Sequence, residues 1–594
     1  MTDLVEQLRQ QVAAAVSKAY GIAVDVADIK IDKTPPEFTG EYTVVIFPFV
    51  KASRKNPEAT AKEIGEALQA VMPELESFNV VKGFLNIRFK DAVWLHQLHD
   101  MRGAVSYGQH HMTGKKVVIE YCGPNTNKPL HLGHVRNVLL GYSAANIQSA
   151  AGYEVHKVNI LNDRGIAICK SMVAYLRGGN GSTPHSSGVK GDHFVGGFYV
   201  EYSRIFDREV EALVAGGMEK VQAEKNAAIY LEAQDMLRKW EAGDAAVLQL
   251  WNKMNDWVYA GFQQTYNRIG IDFEKEYKES EFYLKGKDLV LKGLEEGIFF
   301  KKDDGSVWVD LTGDGLDQKV LLRADGTSVY ITQDMGVAYQ RYQDFKMDTS
   351  VYVVANEQDY HFKVLKLVMQ KLRYPFADGI YHMSYGMVDL PEGKMKSREG
   401  TVVDADDLIS EMVDEAHAFL AASEKTLDLS DAERTQLGEQ IGLSALKYFI
   451  LKVDPKKRIL FNPKESIDLH GHTGPFIQYA YARICSIFRK LEESGTAWVG
   501  AYSDDLTVDE RALIVLLTQY PTVIKTAADT YSPAEVANYL YTLAKKFNSF
   551  YADHSIMKAE SDGKLHLRAA LAERTGYVLK HGLHLLGIQS PERM

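Results

Sequence analysis

Lys128-Pro129-Leu130-His131-Leu132-Gly133-His134 brings an ammonium and two imidazoles into one short run. Two histidines three apart share one face of a helix, and Gly133 between them leaves room for a nucleotide ring to approach. The run follows a β-branched stretch, Val117-Val118-Ile119-Glu120-Tyr121, and a turn carrying Gly123, Pro124, Asn125, Asn127 and Pro129. A strand, a turn and a helix start in that order gather free N–H groups and the positive end of a helix dipole. Open α/β sheets hold phosphates at that point. Donors placed there can stabilise a triphosphate whose charge shifts during attack at its α-phosphorus. Capping or surface histidines, or an incidental metal pair, share the spacing, but the strand and the Pro-Asn turn favour the phosphate reading.

A second basic cluster, Gly393-Lys394-Met395-Lys396-Ser397-Arg398-Glu399-Gly400, follows some 260 residues later. A Gly-bounded lysine loop can fold over polyphosphate and neutralise a pyrophosphate leaving group. Basic surface loops are common, so its weight comes from following the first motif. Farther along, Tyr539, Phe547, Asn548 and Tyr551 recur at helical spacing, and Met594 closes the sequence. Such rings can stack on splayed RNA bases, and they can equally form a helix core.

These groups need elements to hold them. Residues 1–112 read as an α+β module with helical stretches Leu4–Val16 and Thr60–Val71 and strands Tyr42–Phe49 and Gly83–Phe89. Residues 113–404 alternate strands with helices, beginning with a βαβ unit that runs from Val117 to Ile160. Further strands are expected at Val307–Val309, Tyr330–Thr332 and Val351–Ala355. An all-helical insertion is expected over about 178–262, opening on a Gly, Ser and His-rich loop, Gly178–Gly197. Its helices are Glu201–Leu213, Val221–Trp240 and Ala245–Phe262. Residues 405–470 form a helical connective region and 471–594 an all-α domain. The expected helices there include Asp431–Val453, Phe476–Ser494, Asp509–Thr526, Pro533–Asp553 and Leu567–Leu586.

The 594 residues are 46% hydrophobic and 25% charged, with a net charge of −11. This balance excludes collagen-like, disordered and small disulfide-scaffold classes. No apolar run approaches the ~18–20 residues of a membrane span. The acidic Asp3 and Glu6 do not suit a signal peptide. Three scattered cysteines (Cys122, Cys169, Cys485) fit a reducing compartment, and a cytoplasmic location is expected. The acidic total argues against indiscriminate phosphate binding, although residues 440–594 carry a small basic excess.

The two phosphate signatures together resemble those of the class I aminoacyl-tRNA synthetases, and the details between them resemble the arginyl-tRNA synthetase family. Glu120-Tyr121-Cys122-Gly123-Pro124-Asn125 with Lys128-Pro129 looks like that family's lead-in to its first signature. Asn162-Asp163-Arg164-Gly165 matches its next loop, except that many members have Trp where Arg164 stands. Leu322–Asp334, Gly471–Arg483 and the ending Leu586–Met594 look like further family segments. The fold implied is a Rossmann-like parallel-sheet domain, an N-terminal module that contacts the tRNA D-loop, and a C-terminal anticodon-binding bundle.

The resemblance assigns roles residue by residue. Pro124, Asn125, Lys128, His131, Gly133, His134, Lys394, Met395, Lys396 and Ser397 would meet ATP. Lys128, His131, His134, Lys394 and Lys396 would carry the catalysis. Glu120, Gly123, Asn125, Tyr330, Asp334 and Gln358 would hold arginine. Carboxylates suit its planar, five-donor guanidinium. Tyr539, Phe547, Tyr551 and Met594 would touch tRNA. The reaction implied is ligation in two steps. Arginine and ATP, which comes with Mg²⁺, give an adenylate, and the adenylate then meets tRNA(Arg). It needs no tightly bound metal, organic cofactor or membrane, and a monomer is expected. Lys394-Met395-Lys396-Ser397-Arg398 departs from the family's Lys-Met-Ser pattern. Lys394 meets pyrophosphate if Lys396 stands in the serine place, and Lys396 does so if that serine is deleted. A synthetase for cysteine or glutamine, a free-standing nucleotidyltransferase and a non-catalytic tRNA-binding paralogue are the competing readings. The scattered cysteines, the long helical tail with its N-terminal module, and the presence of His131, His134 and Asp334 weigh against them in turn.

Overall fold

The computed structural model describes residues 4–35, 37–389, 403–421, 429–461, 468 and 471–594. The N-terminal module is an antiparallel sheet of β1 (Ile31–Lys33), β2 (Tyr42–Val45), β3 (Leu75–Val81) and β4 (Phe84–Phe89), in the order β1-β2-β4-β3. The helix Pro57–Val71 packs on β3 and β4, and Leu4–Tyr20 packs on that helix. The strand expected to reach Phe49 stops at Val45. Pro48, which has no N–H for a ladder, lies in a 3₁₀ turn, Phe47–Phe49.

A five-stranded parallel sheet follows. Its strands are β5 (Lys116–Glu120), β6 (Glu154–Leu161), β7 (Lys275–Lys278), β11 (Thr349–Ala355) and β12 (Ile380–Tyr385). A small antiparallel sheet of β8 (Phe300–Lys301), β9 (Val307–Val309) and β10 (Lys319–Leu322) lies between β7 and β11 in the chain. The large sheet has the order β12-β11-β5-β6-β7. The chain winds outward from β5 to β7 and then returns to the other side of β5. The order therefore switches between β5 and β11, and a crevice opens at the carboxyl ends of these two strands. The helix Leu132–Ala150 joins β5 to β6 and lies close on the sheet. A Cβ added at Gly141 would fall 2.3 Å from Tyr121 Cβ.

Four further expectations are corrected. Tyr330-Ile331-Thr332 is no strand; it opens the helix Tyr330–Phe345, whose buried Ile331, Met335 and Ala338 follow helical spacing. The supposed loop Gly178–Gly197 carries a short helix, Pro184–Ser187, and from Gly191 belongs to the long helix Gly191–Ala215. A Cβ there would meet Trp257 O at 1.9 Å, so this glycine permits a close helix contact rather than looseness. Val221–Trp240 is two helices, Lys220–Asn226 and Ala228–Glu241, broken at the extended Ala227. Asp509–Thr526 is likewise two, Val508–Thr518 and Tyr520–Thr530, with Pro521 in the first turn of the second.

The remaining tail helices are Ala405–Ala421, Asp431–Leu451, Gly474–Glu493, Pro533–Asp553 and Asp562–Leu585. The N-terminal module docks against this tail. Arg511 donates to Phe89 O (3.0 Å) and pairs with Glu41 (3.2 Å) and Asp91. Arg102 pairs with Glu573 at 2.7 Å. Among the described residues no helix is long and apolar enough to cross a membrane.

Candidate active site

The crevice begins where β5 ends. Cys122 has a left-handed backbone (φ 84°), and three asparagines secure the turn around it. Asn137 accepts from Cys122 N (2.6 Å) and donates to Val353 O on β11 (2.7 Å). Asn159 accepts from Gly123 N (3.1 Å), and Asn162 donates its side chain to Gly123 O (3.0 Å). The backbone N–H of Asn162 meets Pro124 O at 3.0 Å. These bonds hold Cys122 in its left-handed conformation at the end of β5.

His131 caps the helix Leu132–Ala150. Its Nδ1 accepts from Gly133 N (3.1 Å), while His131 N donates to His134 Nδ1 (3.2 Å). With both Nδ1 atoms accepting, each neutral ring carries its proton on Nε2 and is a donor there. Burial, reinforced by Lys128, pushes the His131 imidazole down to about 4. Burial also holds His134 well below its ordinary value, with His131 and Lys128 adding to the effect. The rings lie 3.9 Å apart between centroids. Burial lowers the Lys128 ammonium as well.

Lys394, Met395, Lys396 and Ser397 lie outside the described residues. The described segments on either side are tied to the histidine motif. Arg136, fully buried, donates to Met387 O (3.2 Å), and Leu132 N donates to Val403 O (3.1 Å). Ala405 N donates to Leu130 O at 3.0 Å.

Beside this end lies a cavity of about 890 Å³, a size suited to small ligands. Asn125, Glu279 and Tyr330 line it, and so do Arg164, Gln333 and Leu284. Asn125 and Tyr330 are thus brought together, with Tyr330 81% exposed at the first position of its helix. Asp334, one turn on, is bonded to His361 (Nε2 to Oδ2, 2.5 Å). Glu120, at the end of β5, accepts at its Oε2 from the Arg341 guanidinium. Arg341 is fully buried between the Tyr277 and Tyr352 rings. Burial lifts the Glu120 carboxyl above its ordinary value against the pull of Arg341. Gln358 is exposed in the turn Asn356–Gln358 that follows β11.

Sequence reasoning missed Glu279, Arg341 and His361. Glu279 opens a four-residue helix directly after β7. Burial pushes its carboxyl up to about 7, the nearby Arg164 pulls it down, and Asp163 and Asp334 raise it further. The Arg164 guanidinium lies 4.0 Å from the Tyr283 ring centroid and pairs with Glu241 at 3.2 Å. A run of acids and aromatics, Glu279-Ser280-Glu281-Phe282-Tyr283, was the one visible signal.

Asp192, His193 and Asp406 bring possible metal-ligand atoms together. Lys190 already supplies a cation to this trio. Its Nζ donates to Asp192 (3.1 Å) and Asp406 (2.6 Å), and also to Thr265 (2.6 Å).

The tail residues divide. Tyr539 is 7% exposed, stacks on Tyr520 and donates to Leu516 O; Phe547 is fully buried. Neither ring has a face open to a base, so for these two the RNA-stacking expectation is corrected to core packing. Tyr551 is half-buried, stacked on Phe547 on one side and approached by Arg483. Arg483 also bonds Asn548 (2.5 Å) and covers the Tyr479 ring. Met594 is partly buried against the tail core.

Three family models match the chain in sequence. They are the arginyl tRNA synthetase N terminal domain (residues 6–89), the class I (R) tRNA synthetase catalytic domain (100–462) and the DALR anticodon binding domain (477–594). An arginine–tRNA ligase of Porphyromonas gingivalis is 51% identical over the whole of both chains. One of Parabacteroides distasonis is 50% identical, covering 99% of each. The fold resembles the arginyl-tRNA synthetase of Thermus thermophilus, with a TM-score of 0.79 over all of both chains at 24% identity. A helix start capped by two histidines, a cavity lined with acid beside it, and relatives that match from end to end agree: the chain belongs to the class I arginyl-tRNA synthetase family.

Proposed function

We propose that this protein activates L-arginine with ATP to arginyl-adenylate and transfers the arginyl group to the 3′-end adenosine of tRNA(Arg), for protein synthesis in the cytoplasm. The arginine carboxylate attacks the α-phosphorus and pyrophosphate leaves. The adenosine hydroxyl then attacks the adenylate carbonyl and AMP leaves. ATP enters as its Mg²⁺ complex, a substrate rather than a resident cofactor. No covalent enzyme intermediate is required, so catalysis rests on positioning and charge stabilisation.

The observation that carries this reading is the juxtaposition of two neutral Nε2–H donors with a carboxylate-lined cavity. His131 and His134 stay uncharged at working pH, yet each presents a donor to the phosphates as charge shifts onto them. Lys128 adds positive charge from the same run, and one of Lys394 and Lys396 meets the pyrophosphate. Glu279 and Asp334, with the Tyr330 ring, receive the guanidinium. Asn125 and Gln358 serve the α-amino and carboxylate end. On the tail, the exposed part of Tyr551 with Arg483 offers a ring and a cation to a splayed tRNA base. The protein works as a monomer.

The test is aminoacylation of a total tRNA pool, screened over the twenty amino acids. Arginine alone should be esterified, and only to arginine-accepting tRNA. Charging with another amino acid at a comparable rate would refute the assignment.

A further inference from the structure

Asp163, in the loop after β6, is fully buried and makes no ion pair among the described residues. Its carboxylate and carbonyl oxygens accept from neutral donors on other segments. Its Oδ1 accepts from Ser280 N (2.9 Å), and its Oδ2 accepts from Ser280 Oγ (2.7 Å) and Tyr259 OH (3.1 Å). Its carbonyl accepts from Trp251 Nε1 (2.6 Å). Tyr259 and Trp251 belong to the insertion helix Ala245–Ile269, and Ser280 follows Glu279. One desolvated carboxylate thus joins three elements: the β6 loop, the helical insertion and the turn that presents Glu279 to the cavity. A buried charge is costly unless every bond to it is made, so the site favours a single arrangement of these elements. The Glu279 carboxylate has no hydrogen-bond partner among the described residues, so no side-chain bond of its own orients it.

We propose that Asp163 is a positioning residue for substrate specificity. By clamping Ser280 from behind, it fixes the Glu279 carboxylate where it receives the substrate's guanidinium. The proposal rests on Glu279 belonging to the arginine pocket. Asp163 touches no substrate; it acts through the turn it holds. The clamp also makes the helical insertion part of the amino-acid site, because Tyr259 and Trp251 grip the same residue.

A double-mutant cycle tests it on the full-length enzyme, with KM for arginine and for ATP measured by pyrophosphate exchange in the presence of tRNA. Asp163→Asn should raise KM for arginine about tenfold, with kcat and KM for ATP within about twofold. Ser280→Ala and Tyr259→Phe should give smaller shifts of the same kind. They leave the carboxylate in place, so the test stands even where Asp163→Asn fails to fold. In a Glu279→Gln background each of these changes should add less than about twofold, since no charge remains to be placed. Equal factors in both backgrounds would reduce Asp163 to general support and overturn the proposal. So would normal arginine KM values in the clamp variants while Glu279→Gln is impaired. A normal KM for arginine in Glu279→Gln itself would overturn the proposal too, and would place the failure in the pocket reading rather than in the clamp.

Discussion

At the proposed nucleotide end of the crevice, Lys128, His131 and His134 come from one short run whose own backbone sets both imidazole tautomers. At the proposed amino-acid end, Asn125, Glu279, Tyr330 and Asp334 come from three separated stretches. Here three carboxylates depend on partners elsewhere in the chain: Asp334 on His361, Glu120 on Arg341, and Glu279 indirectly on Asp163. The histidine run is set by its own backbone; the second end is assembled by tertiary contacts. A site that stabilises a changing charge gains from donors that need not reorganise. A site that selects a cation needs carboxylates, and their desolvation must be offset by bonds from elsewhere.

If the two ends divide the work this way, their variants fail differently. The largest effect is expected at the nucleotide end. His134→Ala should lower kcat for activation by about 10²–10³ while leaving KM for arginine nearly unchanged, because its donor matters most in the transition state. Single-turnover adenylate formation would show it, and a change confined to KM would break the distinction. Next, Asp334→Ala should lower kcat/KM for arginine about 10–100-fold, the loss of a hydrogen bond to a charged group, with KM for ATP unaffected. Near-normal charging would remove Asp334 from the pocket.

A smaller effect follows from pH. The Glu279 carboxyl is pushed up to about 7, so it is neutral below that pH and charged above it. On the proposed reading, arginine binding needs the charged form. KM for arginine should therefore fall about tenfold between about pH 6 and about pH 8, and Glu279→Gln should flatten the profile. His131 titrates only near 4, so kcat should not follow the same curve over that range. The smallest effect belongs to the tail. Tyr551→Ala should raise KM for tRNA a few-fold with little change in melting temperature, since the ring is only half-buried. A large stability loss instead would make Tyr551 core like Phe547.

The same contrast decides what could be read from the sequence. The β5–helix–β6 unit and its histidines were legible because element and chemistry lie in one continuous stretch. The helix Pro533–Asp553 was read at its observed bounds, but helical spacing cannot separate a ring that faces the core from one that faces RNA. Tyr539 and Phe547 were told from Tyr551 only by burial. The edge strand β7, Lys275-Glu276-Tyr277-Lys278, was invisible because one apolar side chain makes no alternation. Tyr330-Ile331-Thr332 has β-forming residue types, but burial of Ile331 and Met335 on one face made it a helix. Glu279, Arg341 and His361 acquire meaning only through contacts; Ser280 meets Asp163 across 117 positions of sequence, and Arg341 meets Glu120 across 221. No local pattern encodes such pairs.

The central claim is that this crevice selects a guanidinium and then activates the amino acid that bears it. Pyrophosphate exchange with arginine and with citrulline, in the presence of tRNA, addresses it most directly. The two have the same length and shape, but a neutral urea replaces the cation. Arginine should support rapid exchange and citrulline almost none, and Glu279→Gln should narrow the gap between them. Comparable exchange with both amino acids in the unaltered enzyme would contradict the account.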